Sequence, residues 1–271
     1  MNSKEALMVF QELCLSFEKT FKRIPCEKAV IGLSGGIDSA LAATVAAKAL
    51  GTDRLLLYYL PYKTSSKESL KDAERLCASI GAELEIIDIT PAADVLFSMF
   101  GNMDKVRKGN VMSRLRMITL FDKAQANNGI VLGTTNKTEL LLGYGTWYGD
   151  TASSINVLGS LYKKDVREVS KAAKVPDSIV LKAPSGDLWP GQTDEDELGF
   201  TYEEADSFFY GAIELGMSKE SLYSLFGKDL AEKIAVRALN SSFKRRLPVI
   251  CSPFAEEVDF NKIDEILKKI I

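Results

Sequence analysis

Leu7, Phe10, Leu13, Cys14, Phe17 and Phe21 recur every three or four positions among lysines and glutamates. That spacing puts one apolar stripe on a helix and predicts an amphipathic helix over about residues 4–23. The pattern then changes. Residues 29–33 form a short unbroken apolar run that empties into Ser-Gly-Gly, a buried strand leading into a turn, and residues 39–50 read as an Ala-rich helix ended by Gly51. An apolar run at 55–60 is stopped by Pro61, a helical pattern at 67–80 is followed by Gly81, and a third strand at 84–89 precedes Pro91. A helix over 112–126 keeps Leu115, Ile118, Thr119 and Phe121 in register, and a fourth strand follows at 130–133.

Strands that alternate with helices predict parallel pairing, because each helical crossover returns the chain to the same end of the sheet. Four such strands make a doubly wound α/β, mostly parallel sheet, whose ligands sit outside the carboxyl ends of the strands. After Gly133 the pattern loosens into Gly- and Tyr-containing loops, and helical patterns then dominate at 164–173, 202–215, 219–225, 229–239 and 259–270. No internal repeat or low-complexity linker interrupts the chain, so residues 1–271 are expected to form a single domain with a helical C-terminal half.

Composition narrows the chemistry. With 34 Lys and Arg against 37 Asp and Glu, the chain has no basic excess to hold a phosphate backbone, and no nucleic-acid partner is expected. No apolar stretch approaches the roughly 20 residues needed to cross a bilayer, and charges interrupt the first thirty residues where a signal peptide would lie. A soluble cytoplasmic protein without membrane contact is therefore expected. The four cysteines are scattered without a CxxC pair, which favours buried reduced thiols over zinc or dithiol chemistry. The chain has no His, so any catalysis must use carboxylates, Lys, Arg, hydroxyls and backbone amides, and hard oxygen donors suit magnesium.

The run Gly32-Leu33-Ser34-Gly35-Gly36-Ile37-Asp38-Ser39 joins the first strand to its helix. Glycines there can take positive φ and let a phosphate approach the backbone, while the helix start presents free amides and a partial positive charge. Ser-Gly-Gly-x-Asp-Ser in a strand–turn–helix setting resembles the signature of the P-loop-like ATP pyrophosphatases, which cleave ATP between the α and β phosphates to adenylate a substrate. The kinase string Gly-x-x-x-x-Gly-Lys-Ser/Thr is absent. Asp38 beside bound pyrophosphate suits a shared magnesium ion, with a helix N-cap as its alternative.

A second cluster makes the resemblance specific. Gly-Thr-Thr-Asn-Lys-x-Glu from Gly133, then Gly-Tyr-Gly-Thr and Tyr-Gly-Asp, then Lys-Ala-Pro-Ser-Gly-Asp-Leu from Lys182, resemble the ammonia-dependent NAD synthetases, with matching segments from about residue 28 to 248. The resemblance implies an adenine nucleotide alpha hydrolase-like fold and ATP-dependent amidation of deamido-NAD by ammonia, giving NAD, AMP and pyrophosphate through an adenylated intermediate. It implies that Thr134, Lys163 and Ser185 join the Gly32-to-Ser39 loop around ATP, that Asp38 and Glu139 hold Mg2+, and that Arg114 and Lys244 contact deamido-NAD. It also implies a homodimer.

Asp150 is a candidate proton acceptor for ammonium, with loop capping as the alternative. Taken singly, Thr134 reads as a helix cap, Glu139 and Lys163 as solvated charges, and Arg114 as a surface ion pair. Many members of that family carry Lys, Asp and His where this chain has Trp147, Ser154 and Phe243, so its substrate contacts differ in detail. The stretch at 189–199 is either a lid over the site or a solvated acidic turn. A tRNA-modifying ligase using the same ATP loop is the alternative activity.

Overall fold

Asn2 starts the first helix by accepting the amides of Lys4 and Glu5, and Glu5 returns a bond to the Asn2 amide. This capping box opens α1 (Ser3–Phe21), which buries Ala6, Phe10, Cys14, Phe17 and Phe21 along one face. The computed structural model describes residues 1–184, 189 and 192–246.

Five parallel strands follow: β1 (Lys28–Gly32), β2 (Leu55–Tyr59), β3 (Leu84–Ile86), β4 (Gly129–Gly133) and β5 (Ile155–Asn156), in the spatial order β3-β2-β1-β4-β5. β1 lies at the centre with Ala29, Val30 and Ile31 inaccessible to solvent. Covered on both faces, its side chains alternate: Ala29 and Ile31 join a core with α1, while Val30 joins a second core with Tyr58, Ile89 and Met112. The first core is closed by α2 (Ile37–Leu50) and α3 (Lys67–Ile80), and the second by α4 (Thr90–Phe100) and α5 (Lys105–Ala126).

The remaining helices are α6 (Lys137–Leu142), α7 (Lys163–Ala172), α8 (Asp177–Val180), α9 (Asp194–Leu198), α10 (Tyr202–Phe209), α11 (Lys219–Phe226) and α12 (Lys228–Asn240). α7 returns to α1 and α2, while α6 and α9–α12 gather a third core around Leu142, Phe208 and Ile234.

The doubly wound parallel sheet agrees with the sequence pattern, and several boundaries differ. β5 is two residues long and shows no periodicity to detect. Pro91, expected as a stop, sits in the first turn of α4, where its missing N–H costs nothing. α5 starts at Lys105 because the Asp104 side chain accepts the Arg107 amide, and its length exceeds the expected 112–126. The expected helix at 202–215 is α10 followed by a π-helical turn, Tyr210–Glu214. The expected helix at 259–270 lies outside the described residues. Cys14 and Cys77 are buried, and burial pushes both thiols up to about 11. At that value they are unreactive packing groups. No described helix is long and apolar enough to cross a membrane.

Candidate active site

The Ser-Gly-Gly loop leaves β1 with the Leu33 amide still donating to the Tyr58 carbonyl (2.7 Å), so the turn begins from a fixed strand end. Gly35 has φ +76°, and a Cβ there would stand 2.4 Å from the Ser69 carbonyl oxygen; only glycine fits. Ser39 Oγ accepts the Ser34 amide (3.2 Å) and donates to the Gly36 carbonyl (3.0 Å), closing the loop on itself. Gly36 caps α2 without a side-chain acceptor, which leaves the amides of the first turn available to an anion.

This loop borders a cleft of about 640 Å³ at the carboxyl edge between β1 and β4. The opposite wall comes from the segment after β4, where Thr134 lines the cleft and Asn136 caps α6. The Asn136 side chain accepts the Glu139 amide (3.0 Å), and Glu139 Oε2 accepts the Asn136 amide (3.2 Å). This reciprocal cap fixes Glu139 without using its second oxygen. Neither Thr134 nor Asp38 is a helix cap: Asn136 and Gly36 hold those positions.

Lys163, the first residue of α7 and 9% exposed, joins the two walls. Its Nζ donates to Asp38 Oδ2 (2.6 Å) and Glu139 Oε1 (3.0 Å), while Asn136 Nδ2 donates to Asp38 Oδ1 (2.8 Å). Burial pushes the Glu139 carboxyl up to about 7, partly offset by the Lys163 charge and reinforced by that of Asp38. Burial opposes the charge on Lys163, but the two carboxylates outweigh it and hold the ammonium above the usual lysine range. Lys163 is thus a buried cation held between two carboxyl groups, and the solvated-charge alternative does not hold for it.

Each of the four oxygens of Asp38 and Glu139 accepts one protein hydrogen bond, which leaves further lone-pair positions for a cation. Among the described residues no group of three or more Asp, Glu or Cys converges on one point. Two hard carboxylates fit magnesium in the form it takes with nucleotides, where phosphate oxygens and water complete the octahedron.

Above the cluster, Asp194 of α9 is buried and accepts hydrogen bonds from Tyr144 (2.9 Å) and Tyr202 (3.0 Å). The Tyr202 ring lies 5.0 Å from Lys163 Nζ. The sequence pattern does not single out Asn136, Asp194 or Tyr202. Asn-x-x-Glu could have flagged the first as a capping box, whereas the other two meet Lys163 only through tertiary packing.

Asp150 Oδ1 accepts the Ser113 hydroxyl (2.6 Å) and the Thr146 amide (2.9 Å), so it caps its own loop while lining the cleft. Lys244 Nζ donates to the Gly143 (2.9 Å) and Gly145 (2.8 Å) carbonyls at the cleft edge. Arg114 is exposed on α5, donating to the Trp147 carbonyl (3.1 Å), and does not line the cleft of the single chain. Trp147 packs edge-on against Phe243, with ring centroids 4.9 Å apart, and Ser154 is exposed. Ser185 lies outside the described residues, as does part of the 189–199 stretch.

Comparison with known proteins gives consistent results. The NAD synthase family model matches residues 9–248. The NH(3)-dependent NAD(+) synthetase of Trichlorobacter lovleyi is 44% identical over 88% of this chain and 87% of its own length; that of Fusobacterium nucleatum is 42% identical over 92% and 96%. Among solved structures, an NMN synthetase from Francisella tularensis has a TM-score of 0.80 at 38% identity, covering 94% of this chain and 100% of its own. An NH3-dependent NAD synthetase from Campylobacter jejuni has a TM-score of 0.77 at 31% identity, covering 93% and 100%.

Proposed function

The chain belongs to the NAD synthase family and carries its ammonia-dependent NAD-forming activity; from that premise we propose how its residues perform the reaction. The observation that carries the reading is Lys163 clasped by Asp38 and Glu139 beside the Ser-Gly-Gly loop. ATP enters with its phosphates on the loop amides from Ser34 to Ser39, and its remainder against Thr134, Lys163 and Ser185. The nicotinate carboxylate of deamido-NAD attacks the α-phosphorus, the bond to the bridging oxygen breaks, and pyrophosphate leaves. Ammonia then adds to the carbonyl carbon of the mixed anhydride; AMP departs, and the nitrogen loses its surplus proton to give the amide.

The protein contributes alignment and charge compensation where negative charge shifts onto the leaving pyrophosphate. Lys163 supplies a fixed positive charge there. Asp38 and Glu139 would hold Mg2+, which supplies further charge neutralisation to the phosphates. Asp150 has its Oδ1 committed to the Thr146 loop, and its carboxylate accepts the proton from ammonium. Arg114 and Lys244 contact the acceptor.

The assay is direct: the protein with ATP, magnesium, ammonium and deamido-NAD forms NAD and AMP in equal amounts. AMP formation tied to another acceptor, with no NAD, would overturn the assignment of substrate. A mononucleotide acceptor is a second reading, favoured by the similarity to the Francisella NMN synthetase and by the apolar Trp147–Phe243 pair, which stands where many family members carry Lys and His. The same assay with nicotinate mononucleotide measures that preference.

We further infer a homodimer acting as a single-domain cytoplasmic enzyme. What supports the dimer is the exposure of Val95, Met99 and Phe100 on α4 and of Ile118 and Phe121 on α5, two helices that pack together.

A further inference from the structure

α7 begins with Lys163, and the side chain of its N-cap residue Tyr162 makes no hydrogen bond to the free amides of the first turn. Those amides are met from outside the helix. The Lys163 amide donates to Thr138 Oγ1 (3.0 Å) of α6, and the Lys164 amide donates to Asp206 Oδ2 (2.8 Å) of α10. The Thr138 hydroxyl donates in turn to Asp206 Oδ1. Thr138 and Asp206 are both fully buried.

A carboxylate in that position is costly to desolvate, and burial accordingly moves the Asp206 pKa up. Apolar packing of three helices would not need it. Its two oxygens do something an apolar group cannot: they accept a helix-start amide and a hydroxyl from two different helices at once, next to the positive end of the α7 dipole. Thr138 is also the residue before Glu139. The same relay therefore ties the backbone of Lys163 to the backbone that carries one of its two carboxylate partners.

Lys163 reaches Asp38 and Glu139 through a flexible four-carbon stem. Where its ammonium rests depends on where α7 starts relative to α6. We propose that Asp206 and Thr138 are positioning residues, capping α7 from outside so that Lys163 is held against Asp38 and Glu139 in the arrangement that receives the phosphates of ATP. This rests on the reading that the cluster binds ATP, and it extends that reading to two buried residues with no access to the nucleotide.

The test is a double-mutant cycle on ATP affinity, measured calorimetrically with ATP and magnesium on the full chain. Thr138→Val replaces the hydroxyl by a methyl, and Asp206→Asn removes the charge and turns one acceptor into a donor, both at nearly constant volume, so both are expected to keep the wild-type circular dichroism spectrum. Each is expected to weaken ATP about tenfold, whereas Thr138→Ser keeps the hydroxyl and stays within about threefold. In a Lys163→Met background, Thr138→Val should change affinity less than about twofold, because the group it positions is gone. Equal losses in both backgrounds, or wild-type affinity in Thr138→Val, would overturn the proposal, as would a wild-type chain that binds no ATP. NAD formation is followed in parallel: ATP binding with the expected coupling but without NAD would remove the acceptor assignment and leave this inference standing.

Discussion

Glu139 accepts the Asn136 amide on one oxygen and the Lys163 ammonium on the other, and burial still leaves its carboxyl near 7. In the ligand-free protein the folded chain keeps that proton until about pH 7, while the unfolded chain releases it near the ordinary glutamate value of 4.5. This contribution to stability is therefore complete below 4.5 and is lost as pH rises through 7, by about 3 kcal/mol. Urea melts between about pH 5 and 7.5 should show Glu139→Gln losing less stability than the wild type over that interval; parallel slopes would exclude Glu139 as the group. Gly35→Ala tests the loop at the same scale. Its Cβ would meet the Ser69 carbonyl and its φ is strained for alanine, so a stability loss of about 2 kcal/mol or more and loss of ATP binding are expected in melts and calorimetry. The loop was legible in sequence because its chemistry is contiguous: glycine conformation, helix start and Asp38 fall within a few residues. Asp194 and Asp206 were not legible, because each acquires its role from helices distant in the chain.

At the scale of elements, legibility follows burial. β1, β2 and β4 are covered on both faces and read as continuous apolar runs, which the sequence pattern located to within a residue or so. α4, the first turns of α5, and α6 are not legible in the pattern because their starts depend on a proline inside the first turn, on Asp104 and on Asn136, cues that also occur in turns. The junction after α6 shows how tightly these short pieces are fitted. Gly143 ends α6 at φ +58°, and a Cβ there would lie 2.2 Å from the Ser241 Cβ just beyond α12. Gly143→Ala is expected to cost about 2–3 kcal/mol in thermal melts. Adding Ser241→Gly removes the collision and should recover part of that loss, leaving the backbone strain of roughly 1 kcal/mol. No recovery in the double variant would mean that contact with Ser241 is not what excludes a side chain.

Across the whole molecule, two cores sandwich the sheet and a third lies under the C-terminal helices, and the cleft opens where loops from β1 and β4 diverge. That edge holds the ATP-binding candidates Asp38, Thr134, Glu139 and Lys163, yet Arg114 faces outward on α5. The same helix exposes Ile118 and Phe121, and α4 beside it exposes Met99 at 71%. A dimer formed through this face would cover those apolar groups and enclose Arg114 near the interface, so acceptor binding should depend on assembly and ATP binding should not. Met99→Asp places a charge on the face, at a residue that does not line the cleft. Light scattering should then give the mass of one chain, with ATP affinity within about twofold of wild type and the KM for deamido-NAD raised about tenfold or more. A monomer with unchanged KM would separate Arg114 and the acceptor site from the interface, and a variant that stays dimeric would place the interface on another surface.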